Sequence, residues 1–286
     1  MSATLRTVLL ADRERIASLY GEPRGAWRSR TMTMSLIVAA VAVYVFGLIE
    51  LDISPLRIAN GFGELIAIIG LMLPPALHSW DHFWLYSSAL GQTLAIAFVG
   101  VLVAAVLGFP LGFLAARNVV ANRVLHFLAR RGLDTIRSVD TLIWALIWIN
   151  VVGLGPFAGA LAIASTEIAV FGKLFSEAIE TADRKPVDGI LATGGSRLEV
   201  LRFGILPQVL PVFASQVLYF FESDVRSATI IGIVGAGGIG LYLSEQIRVL
   251  EWQEVSFLIL MILATVALID VVSQRLRGAI IGPART

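Results

Sequence analysis

A chain of 286 residues in which 57% are hydrophobic and 15% charged, with a mean hydropathy of +0.83, is more apolar than a soluble domain, where about 25% of residues are charged, and this predicts an integral membrane protein. The absence of cysteine excludes a disulfide framework, a thiolate metal site and a cysteine nucleophile. The net charge of +1 says little, because in a membrane protein the position of each charge matters; no nucleic-acid partner and no internal repeat are expected.

In chain order, residues 1–30 place Leu5, Val8, Leu9, Ile16 and Leu19 at helical spacing beside Arg6, Arg13 and Arg15, which predicts an interfacial amphipathic helix, with a partly ordered tail as the alternative. Residues 31–51 are apolar for long enough to cross a bilayer and begin too late for a cleaved signal peptide, so they predict the first transmembrane helix. Residues 52–87 predict an extracytoplasmic segment. Within it Leu65 to Leu77 is apolar but interrupted by Pro74 and Pro75, and is expected to pack on the membrane rather than cross it. Trp80, Phe83, Trp84 and Tyr86 form an aromatic belt. His78 and His82 stand four apart, which would set both imidazoles on one helical face as in some zinc sites. The metalloprotease glutamate is missing and His126 lies beyond a span, so no metal is expected.

Residues 88–276 hold five further spans: Ala89 to Ala116, Leu142 to Leu154 with a tilted start upstream, Phe157 to Phe175, Gly204 to Phe221, and Phe257 to Val272. Gly100, Gly108 and Gly112 in the first of these allow close helix approach, and Pro110 a kink. With the N-terminus inside and six spans, 19 of the 22 Lys and Arg residues fall on the cytoplasmic side, including a tail at 277–286. Counting Leu65 to Leu77 as a seventh would expel the Arg117 to Arg137 cluster. Six spans with both termini in the cytoplasm is the expected topology.

A charged island interrupts the apolar chain from Glu177 to Pro211, with a cytoplasmic loop over 177–203. Pro186 suits the first turn of a helix, Gly194 and Gly195 end it, and Ser196 caps a second helix that runs to Pro207. With Arg184, Lys185, Arg197 and Arg202 on their surfaces, the two helices predict a docking knob; a solvated loop is the plain alternative. Three further features invite chemistry. Gly235 to Gly240 fits G-x-G-x-x-G, the dinucleotide fingerprint, with Glu254 near the place of a ribose-binding acid, but both flanks are membrane spans. Glycines here instead suit a broken, re-entrant turn. Glu167 lies inside a span, either as a functional carboxylate or as a neutral group bonded to Ser165, Thr166 or a neighbouring helix. Glu222 and Arg226 form an i, i+4 pair if the helix continues, or Arg226 offers its charge to a passing oxyanion. No G-x-x-x-x-G-K-[ST] loop is present, so the chain has no P-loop of its own.

The segment KPVDGILATGGSRLEVLRFGILPQVLP, followed by Arg226-Ser227-Ala228-Thr229 and the run from Gly232 to Gly240, resembles the transmembrane permease of phosphonate-type ABC importers, most strongly from Gly153 to Gly240. Asp188, Gly189 and Ile190 stand at the Glu-Ala-Ala triplet of the family's EAA loop, and Gly194, Leu206 and Pro207 keep its spacing. The resemblance implies an all-α type I permease with an EAA-type coupling helix and no catalytic centre. It implies ATP and Mg on a separate cytoplasmic ATPase dimer, a second permease copy as homodimer partner, and an extracytoplasmic substrate-binding protein at the inner membrane. Arg184, Asp188, Gly194, Ser196, Arg197, Leu206 and Pro207 would then contact or transmit force from the ATPase. Over 226–240, with Glu222 just before it, Arg226, Thr229, Gly235, Gly237, Gly238 and Gly240 would border the path near its outer gate. Uptake of phosphonate, phosphate or phosphite is the expected function. The rivals are an ion- or proton-coupled carrier relaying through Glu167, a permease for another small solute, and a membrane enzyme, for which no convergent catalytic set is present.

Overall fold

The computed structural model describes residues 26–51, 54–120 and 122–281 and has no strand among them. Most of the amphipathic segment expected in 1–30, and Arg285 of the tail, lie outside the described residues. The chain divides into residues 1–67 and 68–286. In the first unit α1 (Ala26–Glu50) includes an apolar stretch, Thr31–Glu50, long enough to cross a bilayer. Val43, Tyr44, Phe46 and Ile49 are all exposed along it, as for a helix covered by lipid or by another chain. α2 (Pro55–Leu71) starts ten residues before the apolar run at Leu65, with Pro55 at a position where a missing N–H costs nothing.

The second unit contains α3 (Trp80–Ala115), α4 (Arg123–Arg137), α5 (Thr141–Val152), α6 (Pro156–Glu180), α7 (Arg184–Ala192), α8 (Arg197–Glu199), a π-helical turn (Val200–Ile205), α9 (Leu206–Ile231), a second π turn (Gly232–Ala236), α10 (Ile239–Arg248) and α11 (Trp252–Ile281). Five stretches of the described residues are long and apolar enough to cross a membrane, and a sixth if α4 and α5 count as one broken span. The third crossing departs from the sequence expectation: α4 and α5 meet at 87° and are not one tilted helix. Asp140 causes the break, since its side chain accepts the Leu142 N–H at 2.8 Å and caps a new helix from extended backbone.

The α3–α6 pair makes the most extensive contact in the fold. Added Cβ atoms at Gly100, Gly108 and Gly112 would lie 2.8, 2.8 and 2.7 Å from the Cβ atoms of Ile163, Phe171 and Phe175, so α6 packs directly onto the α3 backbone. Behind that contact the Phe175 and Phe213 rings stack at 4.0 Å between centroids, tying α9 to α6. Pro110 leaves α3 continuous.

Two further expectations are corrected. The helix after Ser196 does not stop at Pro207; it runs through the π turn into α9, because the wider turn, with the Leu206 N–H bonded to the Leu201 carbonyl, shifts the register ahead of the proline. Glu222 and Arg226, read as following the fifth span, lie inside α9, which continues to Ile231.

If the α3–α6 contact is as tight as this, Gly108→Leu lowers the thermal midpoint of the purified protein, at a cost of about 1–3 kcal/mol for overpacking. Gly91→Ala on the same helix meets nothing within 4 Å and holds or raises the midpoint, as a favoured helix residue should.

Candidate functional site

The island folds as a compact helical corner. Asp183 caps α7 by accepting the Lys185 N–H at 3.1 Å, and Pro186 sits in the first turn. At the other end Gly194 has φ +82; its N–H bonds the Leu191 carbonyl and the Gly195 N–H the Ile190 carbonyl, each at 3.0 Å, which closes a Schellman cap. Ser196 then opens α8 with a reciprocal capping box to Glu199. Inside the corner Val187 and Ile190 pack on Gly204, and Gln208 clamps the base by accepting the Asp183 N–H at 2.9 Å and donating to the Gly204 carbonyl at 2.6 Å. Arg184, Asp188, Gly194, Ser196, Arg197 and Pro207 are exposed on or beside it and Leu206 is half-buried. Leu191 and Leu198, 52% and 77% exposed, give the corner an apolar tip as well as charges.

The glycine run forms a tight turn rather than a nucleotide cradle: helices flank it on both sides and no strand precedes it among the described residues. Gly235, Gly237 and Gly238 have φ of +100, +85 and +77. Two other elements, α6 and α3, grip the turn. The Gly235 carbonyl accepts the Gly155 N–H at 3.0 Å at the head of α6; an added Cβ at Gly237 would lie 2.9 Å from the Pro156 nitrogen; Gln92 and Thr93 of α3 accept the N–H groups of Gly238 and Ile239, both at 2.8 Å. Gly240 backs onto Gly232, with an added Cβ 3.0 Å from its Cα. Thr229 is buried and donates to the Val225 carbonyl at 3.1 Å.

Glu222 is held by Arg277 at 3.0 Å and only loosely by Arg226 at 3.8 Å. It therefore sits level with the C-terminal end of α11, about 15 Å along α9 from Gly232 at ~1.5 Å per residue, and does not join the glycine turn. No local sequence pattern signals this bond, because the two residues are 55 positions apart. Arg226 remains 50% exposed, on a stripe of α9 with Val212, Tyr219 and Ile230. Glu167 is buried in α6. Ser165 and Thr166 do not bond it; their hydroxyls donate to the Leu161 and Ala162 carbonyls at 2.8 and 3.2 Å. Its electrostatic neighbours are Asp224 of α9 and Arg137 of α4. Glu167 Oε2 and Asp224 Oδ2 both lack a hydrogen-bond partner among the described residues.

A fourth cluster pairs two features that sequence reasoning treated separately. His78 precedes α3, where Ser79 is the N-cap, so it and His82 do not share a helical face. Both rings instead reach one oxygen of Glu254, Nδ1 to Oε1 at 3.1 and 2.8 Å. The Tyr86 hydroxyl donates to Oε2 at 2.5 Å and the His78 N–H to Oε1 at 3.1 Å. Glu254 is 2% exposed and pins the head of α11 to α3, with Gln246 of α10 donating to the Tyr86 oxygen at 3.3 Å. The convergence of both rings on one carboxylate oxygen is a hydrogen-bonded clasp, and no metal-binding group of three occurs among the described residues.

The family of binding-protein-dependent transport system inner membrane components matches residues 108–281. The phosphite transport system permease protein PtxC of Stutzerimonas stutzeri is 34% identical over 97% of this chain and 98% of its own length. The phosphate-import permease protein PhnE of Mycolicibacterium smegmatis is 33% identical over 89% of this chain and 47% of its own. Among solved structures, an inward-facing form of the MetNI methionine ABC transporter superposes with a TM-score of 0.62 at 20% identity, covering 71% of this chain and 99% of that one.

Gly194 and Gly237 share a left-handed φ but not a setting, since nothing lies within 4 Å of an added Cβ at Gly194. Gly194→Ala should cost only the backbone strain of about 1–2 kcal/mol, whereas Gly237→Ala adds a clash with the Pro156 backbone and should lower the thermal midpoint further. At the clasp, Glu254→Leu strands the buried Tyr86 hydroxyl, at a cost of about 1–3 kcal/mol. Adding Tyr86→Phe to that variant should restore part of the loss, which paired melting curves would measure.

Proposed function

We propose, for a chain that belongs to the binding-protein-dependent transport system inner membrane component family, that it forms the path through which a phosphorus oxyanion, phosphite, phosphate or a phosphonate, is taken up at the expense of ATP hydrolysed on another subunit. Its relatives' transport systems support the substrate class. The observation that carries the ATP coupling is the capped corner of α7 and α8, which presents Leu191, Leu198, Arg184, Asp188 and Arg197 outward on a rigid frame. An apolar tip ringed by charges suits insertion into a groove of a soluble partner. In this reading the corner faces the cytoplasm, as do both termini, and docks on one protomer of an ATPase dimer that holds ATP and Mg. A second copy of this chain completes the path, and a binding protein delivers substrate near the glycine turn.

Force on the corner passes directly into α9, because α8, the π turn and α9 are one continuous rod. At its far end the rod meets the glycine turn, which α6 and α3 grip through the backbone, so a tilt of α9 shifts the turn against both. Arg226 lies on the exposed stripe of that rod. A guanidinium in a span is costly unless it faces water or protein, and with Glu222 neutralised mainly by Arg277, Arg226 is available for bidentate contact with an oxyanion. Glu167 and Asp224, buried between α6 and α9, take no part in binding an anion.

The test is reconstitution of the tagged chain, purified from its native membrane with the ATPase and binding protein that accompany it, and measurement of phosphite uptake and ATP hydrolysis. Arg226→Gln should raise the KM for uptake about tenfold or more, the worth of a charged hydrogen bond, with ATP hydrolysis retained. Gly194→Leu should uncouple the two, hydrolysis persisting while uptake falls. Uptake that continues without an ATPase and collapses with the proton gradient would instead assign coupling to Glu167.

A further inference from the structure

We propose that the basic side of α4 is a binding site for the phosphate headgroup of an anionic phospholipid. A cavity of about 490 Å3 is lined by Arg117, Arg123, His126, Phe127, Arg130 and Arg131, and no carboxylate lines it. The acids nearest to it are already engaged. Glu180 accepts the Arg117 backbone N–H at 2.9 Å and stands 3.5 Å from Arg130; Asp134 bonds Lys173 at 2.7 Å and stands 3.5 Å from Arg131. The guanidinium groups of Arg117 and Arg123 have no ion pair among the described residues. His126 adds a buried Nδ1 with no hydrogen-bond partner among them. Like charges gathered around a hollow repel one another, and an anion seated there would reverse the sign of that interaction.

The setting of α4 selects a lipid over a free anion. The helix has three faces. Ala129, Leu133 and Ile136 pack on Leu111, Ala115 and Ala169 of α3 and α6; the arginines border the cavity; Val124, Leu125 and Leu128 form a third, exposed apolar face. α5 is apolar and leaves α4 at 87°, so with α5 crossing the bilayer α4 would lie along its surface at headgroup depth. There the arginines meet phosphate while the apolar face meets acyl chain, the arrangement by which amphipathic basic helices hold acidic lipids. A soluble phosphate would use the arginines alone and leave the apolar face uncovered. The assignment rests on the proposed topology for the crossing by α5 and for the leaflet, which is the cytoplasmic one.

The experiment reads lipid retention, which does not depend on transport or on the substrate. The full chain, with any ATPase that accompanies it, is placed in nanodiscs of phosphatidylcholine containing a minor fraction of phosphatidylglycerol, and retained lipid is counted by native mass spectrometry. Wild type should enrich phosphatidylglycerol, and Arg123→Gln with Arg131→Gln should lower that enrichment roughly fivefold for each arginine removed. Arg275→Gln, on α11 away from the cavity, should match wild type. If the double variant does not fold, the charge-keeping pair Arg123→Lys and Arg131→Lys against Arg123→Glu alone carries the same expectation, retention in the first and loss in the second. Equal enrichment in every variant overturns the proposal. So does displacement of the retained phosphatidylglycerol by millimolar inorganic phosphate, which would make the cavity a site for the soluble anion.

Discussion

The close contact between α3 and α6 is the constraint on which the remaining elements depend. Three glycines remove side chains from one face of α3 where Ile163, Phe171 and Phe175 of α6 press in. In lipid there is little hydrophobic gain in bringing two apolar helices together, so packing at this range supplies the attraction. The same pair then offers fixed backbone at both ends. At one end α4 lays Leu133 against Gly172 of α6, and the Glu180 carboxylate holds the Arg117 N–H. At the other, Gly155 and Pro156 of α6 and Gln92 and Thr93 of α3 hold the glycine turn. α9 is therefore the long element whose two ends rest on different supports, an exposed corner and a gripped turn, and in the proposed coupling it carries a displacement at the corner to the turn.

Charges are distributed to suit that division. Glu222 is neutralised from α11 by Arg277, a bond that ties two antiparallel helices, while Arg226 stands at longer range from the same carboxylate. The clasp around Glu254 ties α11 to the segment before α3 at its opposite end, with the carboxylate taken almost wholly out of water. α11 is thus fixed near both ends to different helices, and motion of α9 relative to α3 must strain one tie or the other. Glu254 receives several donors from one segment, whereas Glu222 has the part-buried Arg277 and a distant Arg226, so the clasp holds its geometry more firmly than the Arg277 tie.

Much of this was legible in the sequence, for reasons that differ by feature. The caps at Pro186, Gly194 and Ser196 are local: each depends on a residue type and its position within a few neighbours, and each appears where those signals place it. The number of crossings follows from apolar run length. The bend between α4 and α5 was hidden because the run from Leu142 is short and an upstream start reads as tilt; only the capping side chain of Asp140 marks the break. Pro207 misled because a proline ordinarily stops a helix, and a π turn ahead of it removes the reason. The partners of Glu222, of Glu167 and of the two histidines lie on other helices, and a one-dimensional pattern carries no information about which helices meet. Glu254 fits a nucleotide motif by spacing alone, yet its partners are His78, His82 and Tyr86, up to 176 positions away.

The glycine run illustrates why the same letters serve two chemistries. In a dinucleotide fold the glycines let a phosphate approach the backbone at the start of a helix. Here the approaching group is protein backbone: Gly155 donates to Gly235, an added Cβ at Gly237 would meet Pro156, and Gly232 and Gly240 lie back to back. The N–H groups of Gly238 and Ile239, which in a nucleotide site would face the anion, are already taken by Gln92 and Thr93. An anion near this turn would have to compete with those bonds, so electrostatic attraction along the path must come from side chains. In the proposed reading Arg226 of α9 supplies it, two turns before the glycines and half exposed.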